Sequence, residues 1–436
     1  MIAAYLAETR WLRLASFTAF YYAQGVPIGL LTIAVPAWLA EHGASLAEIA
    51  SYQGIVGLPW GFKLFAGPFM DRFAFAPMGR RRPWVIGAQS GLTLSMASLV
   101  FVGDPADQVV LLAAIGFMVN LFASVQDVAV DGMAIDVLPA TERGRANALM
   151  AFGQVAGFSS FAALSGWLLN VRGLPAAAVA GTVTIAAVLL LITLTRERRG
   201  ERILPWSPGE AARREHVAES TFAGIFANLL RVLFLPMSLV LFFCEFLIRI
   251  RDGVAISVVP VFAVQTLGIS SVHYSQFQGY MGVPIAIIGV LFGPLIDRFG
   301  IKRLYLLAIG ISALATLTFA LTPASWPNTA YVVTIWVIVA LSGQMLFVSF
   351  IALSMNICWS RVAATQFAIY MSLSNLSRSI GAAAFSLVAA SLDQADAFLL
   401  IGALMIAAGV TLSFFDLDSH QRRLRELDEP AIADPT

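Results

Sequence analysis

Long apolar stretches separated by short polar loops cover most of the chain. Twelve of these stretches reach the roughly 20 residues that an α-helix needs to cross a bilayer. They are residues 12–40, 46–70, 84–102, 108–137, 145–170, 174–195, 232–264, 273–296, 303–322, 330–355, 363–390 and 395–415. Several exceed the minimal length, which predicts tilted helices or turns at the interface. The pattern therefore predicts an all-α membrane protein with twelve transmembrane helices.

The polar loops differ in charge on the two sides of this predicted bundle. One set is rich in Arg and Lys, whereas the opposite set holds only Arg172. Cytoplasmic loops carry an excess of basic residues, so the basic loops and both termini are predicted to be cytoplasmic. The basic residues of these loops and termini include Arg10, Arg143, Arg196, Arg198, Arg199, Arg202, Arg231, Lys302, Arg361, Arg422, Arg423 and Arg425.

One long polar stretch, residues 196–220, divides the predicted spans six and six. It is rich in Arg and Glu and contains Pro205 and Pro208, so it is predicted to be a linker. The predicted organisation is an N-terminal six-helix half, a cytoplasmic linker, a C-terminal six-helix half and a cytoplasmic tail. These parts cover residues 1–195, 196–231, 232–415 and 416–436.

Composition agrees with a membrane protein. Hydrophobic residues make up 59% of the chain, charged residues 12%, and the mean hydropathy is +0.81. A soluble domain carries about 25% charged residues. The net charge of +1 and the lack of a basic stripe argue against a nucleic-acid partner. The first apolar stretch is too long for a signal-peptide core, so it is predicted to be a retained helix.

The sequence offers little support for metal or covalent chemistry. Cys244 and Cys358 both lie in apolar stretches, and the four histidines are scattered without ligand spacing. The zinc-protease HExxH, nucleophile-elbow GxSxG and phosphate-loop GxxxxGK[ST] motifs do not occur. We therefore predict neither an enzyme nor a cofactor.

The two predicted halves share a repeated motif. GPFMDR at residues 67–72 ends the second span, and GPLIDR at residues 293–298 ends the eighth. Basic residues follow both copies. Two six-helix halves with matching loops are typical of the major facilitator superfamily, whose halves are related by an axis along the membrane normal. The predicted fold is that of this superfamily.

Further motifs resemble one family within it, the AmpG-type muropeptide permeases. The first lies around the loop after the second span, at residues 62–72 and 79–82 with the insertion between them. The second covers the fourth span and the loop after it, with Gln126-Asp127, Asp131, 136–139 and 142–144. The others are Arg249-x-x-Asp252 in span 7, and residues 364–368 with Arg378 later in span 11. The resemblance covers nearly all of the twelve-helix body. One departure is Ala134, where the family often carries Lys. The wider family is similar to siderophore importers and acetyl-CoA transporters, so the resemblance indicates the fold more firmly than the substrate.

Three aspartates, Asp127, Asp131 and Asp136, fall in or next to the fourth predicted span. An ionised side chain in hydrocarbon costs at least about 2.5 kcal/mol, so such residues usually pair, carry protons or face a polar interior. Asp127 and Asp131 are four residues apart and share a helical face. They either bind protons or substrate or bridge helices through hydrogen bonds. Asp127 and Asp252 are the expected coupling acids, with Asp127 slightly favoured.

Asp136 lies at the predicted cytoplasmic end of the same span, within reach of the Arg triplet that follows the first GPxxDR motif. We interpret it as part of a cytoplasmic gate, in which salt bridges hold the outward-facing state. The predicted gate residues are Asp71, Arg72, Arg80, Arg81, Arg82, Asp136, Asp297 and Arg298.

Span 7 carries a second charged group. Glu245, Arg249 and Asp252 stand at i, i+4 and i+7, on one helical face. Arg249 either pairs with Glu245 within the helix or binds an anionic group of a substrate. In the second case Asp252 and Glu245 are available for proton coupling. Arg251 faces elsewhere and is predicted to pair with the other half.

Two more cations lie inside predicted spans. Arg378 is near the middle of span 11 and either binds substrate through its planar guanidinium or neutralises an aspartate of span 4 or 7. Lys63, near the end of span 2, either extends to the interface or binds substrate. The spans thus contain four bases and four acids, which are Lys63, Arg249, Arg251, Arg378, Asp127, Asp131, Glu245 and Asp252. Protonation of one acid could free a cation for an anionic substrate.

Uncharged residues complete the candidate site. Polar and aromatic residues that could contact a substrate are Tyr22, Gln24, Trp60, Gln126 and Asn375. For each of them ordinary helix packing is the alternative. Small-residue motifs at Gly25-x-x-x-Gly29 and Gly153-x-x-x-Gly157 predict close helix crossings.

These observations predict a secondary active transporter. The resemblance implies proton-coupled import of anhydro-muropeptides across the bacterial inner membrane by a monomer. The partners would be a small anionic molecule, protons and the lipid bilayer, without nucleic acid. Alternatives are transport of siderophores or other anionic metabolites, and, in other classes, an integral-membrane transferase or an assembly factor built on a transporter fold. The charged spans argue against the assembly factor.

Overall fold

The computed structural model of the chain describes residues 5–73, 75–209 and 222–428. Within these ranges the backbone is helical, and its only β-type pairing is an isolated bridge between Tyr5 and Arg196. Seven of the described helices are long and apolar enough to cross a membrane. An eighth is added if the bent pair Phe226–Leu233 and Pro236–Thr266 counts as one span.

The helices follow one another with short connections. Those before residue 235 are α1 (Arg10–Pro27), α2 (Val35–Glu41), α3 (Leu46–Gly57), α4 (Lys63–Arg72), α5 (Arg82–Ser98), α6 (Val109–Val137), α7 (Arg143–Leu194) and α8 (Phe222–Leu233). Those after it are α9 (Pro236–Val261), α10 (Ser271–Val290), α11 (Phe292–Phe299), α12 (Ile301–Leu321), α13 (Thr329–Asn356), α14 (Ala363–Ser386), α15 (Gln394–Ser413) and α16 (Leu417–Asp428).

Each of the twelve predicted spans coincides with a helical segment, which confirms the predicted architecture. The fifth and sixth spans run together as α7, but Gly173 breaks this helix with a φ of +75°. Glycine adopts that left-handed conformation without steric cost, and Pro175 then begins the next stretch. The number of long apolar helices is smaller than twelve for three reasons. The fifth and sixth spans form one helix, and the seventh is part of the bent pair. The second and eighth spans are each broken in two, and α14 is rich in polar residues.

Prolines explain local departures from α-helical geometry. The missing N–H of a proline removes one backbone hydrogen bond and disturbs the preceding turn. A π-helical segment, Ile28–Ala34, follows Pro27, and another, Phe262–Thr266, follows Pro260. Pro59 lies inside the 3₁₀ segment Leu58–Phe62. These segments join α1 to α2, α3 to α4, and extend α9.

Side chains cap helices at the loops. Ser45 and Glu48 form a capping box at the start of α3, in which Ser45 Oγ accepts a hydrogen bond from the Glu48 N–H at 3.2 Å. Asp393 accepts the N–H of Asp396 at 2.7 Å where α15 begins, and Asn328 caps α13. Each cap satisfies a backbone donor that the first turn leaves free.

The chain divides into two compact units. Unit 1 comprises Met1–Glu215 and Ile256–Ala286, and unit 2 comprises His216–Ala255 and Ile287–Thr436. Helices α9 and α10 therefore contribute to both units. The predicted division of the chain at the linker remains a prediction based on the sequence repeat.

In unit 1, α1 and α7 cross so closely that only glycine fits. A Cβ atom on Gly25 would lie 2.4 Å from the Gln154 carbonyl oxygen, and one on Gly157 would lie 2.3 Å from that of Tyr22. A Cβ on Gly153 would lie 2.4 Å from the Thr18 carbonyl oxygen. The predicted small-residue motifs thus mark a true backbone contact, which aligns the polar residues of both helices.

Residues 256–286 pack on the rest of unit 1. Gln265 donates two hydrogen bonds, each 2.9 Å, to the carbonyl oxygens of Ala40 and Ala44 at the end of α2. Ser271 donates to Glu41. A Cβ on Gly279 would lie 2.4 Å from the Ser159 carbonyl oxygen on α7. This segment is therefore built into unit 1 through backbone contacts as well as side chains.

Unit 2 has its own apolar core, in which α12 packs against α13 and α15. Its centre includes the buried Tyr305, Phe350 and Met405. Helices α9 and α14 cross at Gly253 and Gly381, where a Cβ on Gly253 would lie only 2.1 Å from the Arg378 carbonyl oxygen. This crossing is the counterpart of the glycine contact in unit 1.

Residues 196–209 of the predicted linker pack against the rest of unit 1. The N–H groups of Leu6 and Ala7 donate to the carbonyl oxygens of Arg196 and Glu197 at 2.8 and 2.9 Å. Glu201 is buried, and burial together with the neighbouring Glu197 carboxylate raises the pKa of Glu201.

The predicted tail contains α16, whose His420 is buried and lies 2.9 Å from the Ile357 carbonyl oxygen.

Candidate functional site

Lys63 and Asp127 form an ion pair inside unit 1. Lys63 begins α4 and Asp127 lies on α6, where only 5% of its surface is exposed. The Lys63 ammonium also lies 4.6 Å from the centre of the Trp60 ring, a cation–π contact. Trp60 is held in place because its Nε1 donates to Asn120 Oδ1 at 2.7 Å. The Lys63 ammonium is thus neutralised inside unit 1.

Asp131 lies one helical turn from Asp127 and has a different environment. Tyr21 on α1 donates its hydroxyl to Asp131 Oδ1 at 2.5 Å. The Asp131 side chain is exposed, and it forms no ion pair within the described residues. Asp127 is therefore paired directly with Lys63, whereas the direct partner of Asp131 is a hydroxyl group and the Lys63 charge acts on it from a distance.

The predicted uncharged residues of unit 1 make polar contacts around these acids. Gln126 is fully buried, and its Nε2 donates to the Phe20 carbonyl oxygen at 3.2 Å. Gln154 donates to Gln24 Oε1 at 3.2 Å across the α1–α7 crossing. Tyr22 lies 2.9 Å from Ser160 Oγ. All three contacts bridge helices, which favours a packing role and leaves Tyr22 as the more accessible group.

In unit 2, α9 carries a chain of alternating charges. Arg249 Nε lies 2.5 Å from Glu245 Oε1, and Arg249 Nη1 lies 3.0 Å from Asp252 Oδ2. The pairing at i, i+4 and i, i+3 follows from their common helical face. The guanidinium also lies 5.9 and 5.8 Å from the ring centres of Phe347 and Phe350 on α13.

Glu245 and Arg251 tie α9 to its neighbours. Glu245 is 2% exposed and accepts hydrogen bonds from the Tyr305 hydroxyl at 2.8 Å and from Ser374 Oγ at 3.0 Å. Arg251 pairs with Asp252 at 2.7 Å and donates to Ser312 Oγ at 2.7 Å. The expectation that Arg251 points away from this group is not met, because its long side chain reaches back to the adjacent carboxylate.

Arg378 is the cation of unit 2 that lacks a partner. It lies on α14 beside the Gly253–Gly381 crossing, and it makes no hydrogen bond and no ion pair with any described residue. The charges that act on it are those of Arg249 and Asp252. Asn375, one turn earlier, accepts a long contact of 3.5 Å from Ser379 through its carbonyl oxygen.

The eight charged residues of the spans are thus divided unequally. Unit 1 holds one cation and two carboxylates, so Asp131 is in excess. Unit 2 holds three cations and two carboxylates, so Arg378 is in excess. The spans hold four bases and four acids in total, but unit 1 has one acid more than it has bases and unit 2 has one base more than it has acids. Asp131 can take up a proton, and Arg378 can bind an anionic group.

Two of the predicted gate arginines face Asp136 at the end of α6. Asp136 Oδ1 lies 3.6 Å from Arg80 Nη1, and Asp136 Oδ2 lies 3.9 Å from Arg81 Nε. Gly132 makes room for this arrangement, since a Cβ there would lie 2.6 Å from Arg81 Nε. These residues come together as the sequence predicts, whereas their role as a gate remains a prediction.

Arg82 has a different partner. It is fully buried at the start of α5, and its guanidinium donates to four backbone carbonyl oxygens at 2.7 to 3.2 Å. These oxygens belong to Ile192, Thr193, Arg202 and Ile203. Arg82 therefore fixes the end of α7 and the following linker, which is a structural task.

Glu197 holds the loop of Arg80, Arg81 and Arg82 in place, and this role was not predicted from the sequence. Its buried carboxylate accepts the backbone N–H groups of Arg80, Arg81 and Arg82 at 3.3, 3.0 and 2.7 Å. Gly79, at a φ of +99°, lets the carboxylate approach, because a Cβ there would lie 2.7 Å from Glu197 Cδ. The sequence feature that could have indicated this role is the position of Glu197, an acidic residue directly after the sixth span.

The remaining predicted gate residues are less informative. The side chains of Asp71, Arg72 and Asp297 lie outside the described part of the chain. Arg298 on α11 is exposed and lies 5.3 Å from the centre of the Phe299 ring. An ion pair that was not predicted from the sequence joins Arg13 to Glu142 at 2.7 Å. Arg13 also donates hydrogen bonds to the carbonyl oxygens of Leu6 and Ala7.

The sequence matches known proteins over most of its length. The family model described as Major Facilitator Superfamily matches residues 15–382 and, in an overlapping match, 241–433. "Anhydromuropeptide permease" of Escherichia coli (strain K12) is 24% identical over 379 residues, which cover 87% of this chain and 74% of that protein. "Putative transporter AmpG 1" of Rickettsia bellii (strain RML369-C) is 23% identical over 350 residues, which cover 79% and 83%.

Solved structures agree on the fold. The crystal structure of a D-xylose-proton symporter superposes with a TM-score of 0.69 and covers 93% of this chain and 97% of that one. The two sequences are 14% identical. The likeness therefore concerns the fold and not the substrate.

Proposed function

This chain belongs to the major facilitator superfamily and is a multi-pass membrane transporter, and we propose that it imports anhydro-muropeptides together with protons across a bacterial inner membrane. The proposal combines the likeness to a permease of that name with the charges of the two units. Anhydro-muropeptides carry peptide carboxylates, so a site for them needs a cation that no protein acid neutralises.

Arg378 is the observation that carries this proposal. It adds a positive charge to a group in which Arg249 and Arg251 are already paired with Glu245 and Asp252. A cation without a partner inside a membrane span is costly, and a bound carboxylate would reduce the cost. The fork of a guanidinium also matches a carboxylate in shape, which a lysine does not.

Uptake into proteoliposomes tests the substrate directly. We expect labelled anhydro-muropeptides to be accumulated under an imposed proton gradient, and siderophores not to be. Arg378→Gln should raise KM by at least about tenfold, since a charged hydrogen-bond partner contributes about 1.5–3 kcal/mol. Arg378→Lys should recover only part of this loss. Equal KM values for wild type and Arg378→Gln would remove Arg378 from the site, and uptake of siderophores alone would refute the substrate.

For proton coupling the proposal relies on Asp131. Its carboxylate is exposed, forms no ion pair among the described residues and accepts a hydrogen bond from Tyr21. A group in this setting can gain and lose a proton without breaking an ion pair. Asp127, by contrast, would have to leave Lys63 uncompensated.

We further propose that the arginine-rich loops and both termini face the cytoplasm, because basic residues concentrate on that side. Single cysteines test this orientation in a background with Cys244→Ala and Cys358→Ala. Asp107→Cys and Ala324→Cys should react with an impermeant maleimide added outside, and Trp206→Cys should react only after the membrane is opened. All three positions are exposed. The reverse labelling pattern would invert the topology.

The loop between α4 and α5 is proposed to act as a gate through Asp136, Arg80 and Arg81. Asp136→Ala or Arg81→Ala removes an ion pair whose atoms are 3.6 to 3.9 Å apart, and a contact of this length contributes about 1 kcal/mol or less. We therefore expect turnover to fall up to about fivefold with KM little changed. Arg143→Ala, an exposed arginine at the start of α7, is the matched control. Loss of substrate binding with an unaltered turnover would contradict the gate role.

A further inference from the structure

Helix α8 has one face packed and one face open. Leu229 and Val232 are buried in a cluster with Trp359, Val362 and two leucines of α16, Leu424 and Leu427. On the other side Phe226, Leu230 and Phe234 are 63%, 41% and 68% exposed. Phe226 and Leu230 are four residues apart in a stripe on one face of α8. Phe234, in the turn just after the end of α8, continues this stripe, because its N–H donates to the Leu230 carbonyl oxygen at 3.2 Å. Two large aromatic residues and a leucine in one exposed row require an apolar partner.

The direction of α8 is fixed relative to a membrane span. The axes of Phe226–Leu233 and Pro236–Thr266 differ by 75°. Transmembrane helices are tilted on average by about 20° from the bilayer normal. Since α9 crosses the bilayer, α8 runs close to the membrane plane. Its apolar stripe ends at Phe234, directly before the start of α9 at Pro236.

The corner between the two helices is held by hydrogen bonds. Ser238 is 1% exposed, and its Oγ donates to the Val232 carbonyl oxygen at 2.8 Å. The N–H of Leu239 donates to the Leu235 carbonyl oxygen at 3.1 Å. Helix α16 supports α8 from the packed side, and His420 ties α16 to the Ile357 carbonyl oxygen. The orientation of α8 is therefore a fixed property of unit 2.

From these observations we propose that α8 is an interfacial helix, whose stripe of Phe226, Leu230 and Phe234 is buried at the boundary of lipid headgroups and acyl chains. Amphipathic helices of this kind insert their apolar face about 5–10 Å into the bilayer. Exposed Arg231, displaced around the helix from the stripe, lies where it can reach the headgroups. The lipid surface thereby holds the connection between the two halves of the chain.

Fluorescence quenching in proteoliposomes tests this placement. A bimane label is attached at Phe226→Cys, Leu230→Cys or Phe234→Cys in a background with Cys244→Ala and Cys358→Ala, and Arg231→Cys on the same helix is the control. Lipids brominated in the upper acyl chain should quench the three stripe positions at least about twofold more strongly than the control. Aqueous iodide should show the opposite order.

Each alternative result overturns the proposal. Strong iodide quenching at all four positions would place the stripe in water. Protection of the stripe from both quenchers would indicate a protein partner or a second copy of the chain. A second variant guards against loss of folding: Leu230→Gln should elute as wild type does in detergent, yet show weaker lipid quenching at Phe226→Cys. Neither result depends on the transported substrate.

Discussion

Asp131→Asn is expected to abolish accumulation of substrate driven by a proton gradient, while downhill exchange continues. Asparagine keeps the size and accepts the hydrogen bond from Tyr21, but it cannot exchange a proton. Because Asp131 forms no ion pair among the described residues, its neutralisation leaves no buried cation behind. We therefore expect normal expression and at least a tenfold loss of gradient-driven accumulation, corresponding to about 1.4 kcal/mol.

Asp127→Asn provides the contrast. Removing one member of a buried ion pair typically costs about 3–5 kcal/mol, because the other charge stays uncompensated. This variant should lose expression or thermal stability, and Lys63→Gln added to it should restore part of the loss. Parallel measurements of pH-driven uptake and of counterflow separate coupling from stability. Wild-type accumulation by Asp131→Asn would exclude Asp131 as the coupling acid and return attention to Asp127 and Asp252.

The second large effect concerns the crossing of α9 and α14. Gly253→Ala and Gly381→Ala each place a Cβ against backbone, at 2.1 Å from the Arg378 carbonyl oxygen and 2.5 Å from that of Ile250. Backbone atoms cannot rotate away as a side chain can, so the helices must separate. Overpacking costs about 1–3 kcal/mol in ordinary cores, and a backbone contact of this kind should reach or exceed the upper value.

Two other glycines of unit 2 serve as matched controls. Gly310 on α12 and Gly343 on α13 have open space where a Cβ would be added. Alanine there should be neutral or stabilising by up to about 1 kcal/mol, because it favours the helix. Thermal unfolding in detergent, followed by fluorescence of a thiol-reactive dye, would compare the four variants. Equal melting temperatures would show that α9 and α14 have room to separate.

The spans were predictable from the sequence because the bilayer demands long apolar runs, and loops interrupt them. The break at Gly173 was predictable for a related reason, since Gly173 and Pro175 lie within three residues of each other between two apolar runs. The close crossings at Gly25 and Gly157 also follow a sequence motif. The spans, the break and the glycine motifs all depend on residues close together in the sequence, so the pattern of the sequence is enough to predict them.

Pairing of charges was only partly predictable. The Arg249–Glu245 and Arg249–Asp252 contacts follow from helical spacing. Lys63 and Asp127 are 64 residues apart, and nothing local distinguishes this pair from other combinations of the same charges. Glu197 is harder still, because its partners are backbone N–H groups that every loop possesses. The long reach of Arg251 likewise depends on a side-chain conformation that spacing does not specify.

The discontinuity of unit 1 has a consequence for biosynthesis. Residues 256–286 pack on α2 and α7, yet they are synthesised only after residues 196–255, about 60 residues of linker, α8 and α9. At about 5–20 residues per second this delay is roughly 3–12 seconds. During it the carbonyl oxygens of Ala40, Ala44 and Ser159 lack their final neighbours. A fragment that stops at the linker should thus be more easily degraded than one that continues past residue 286.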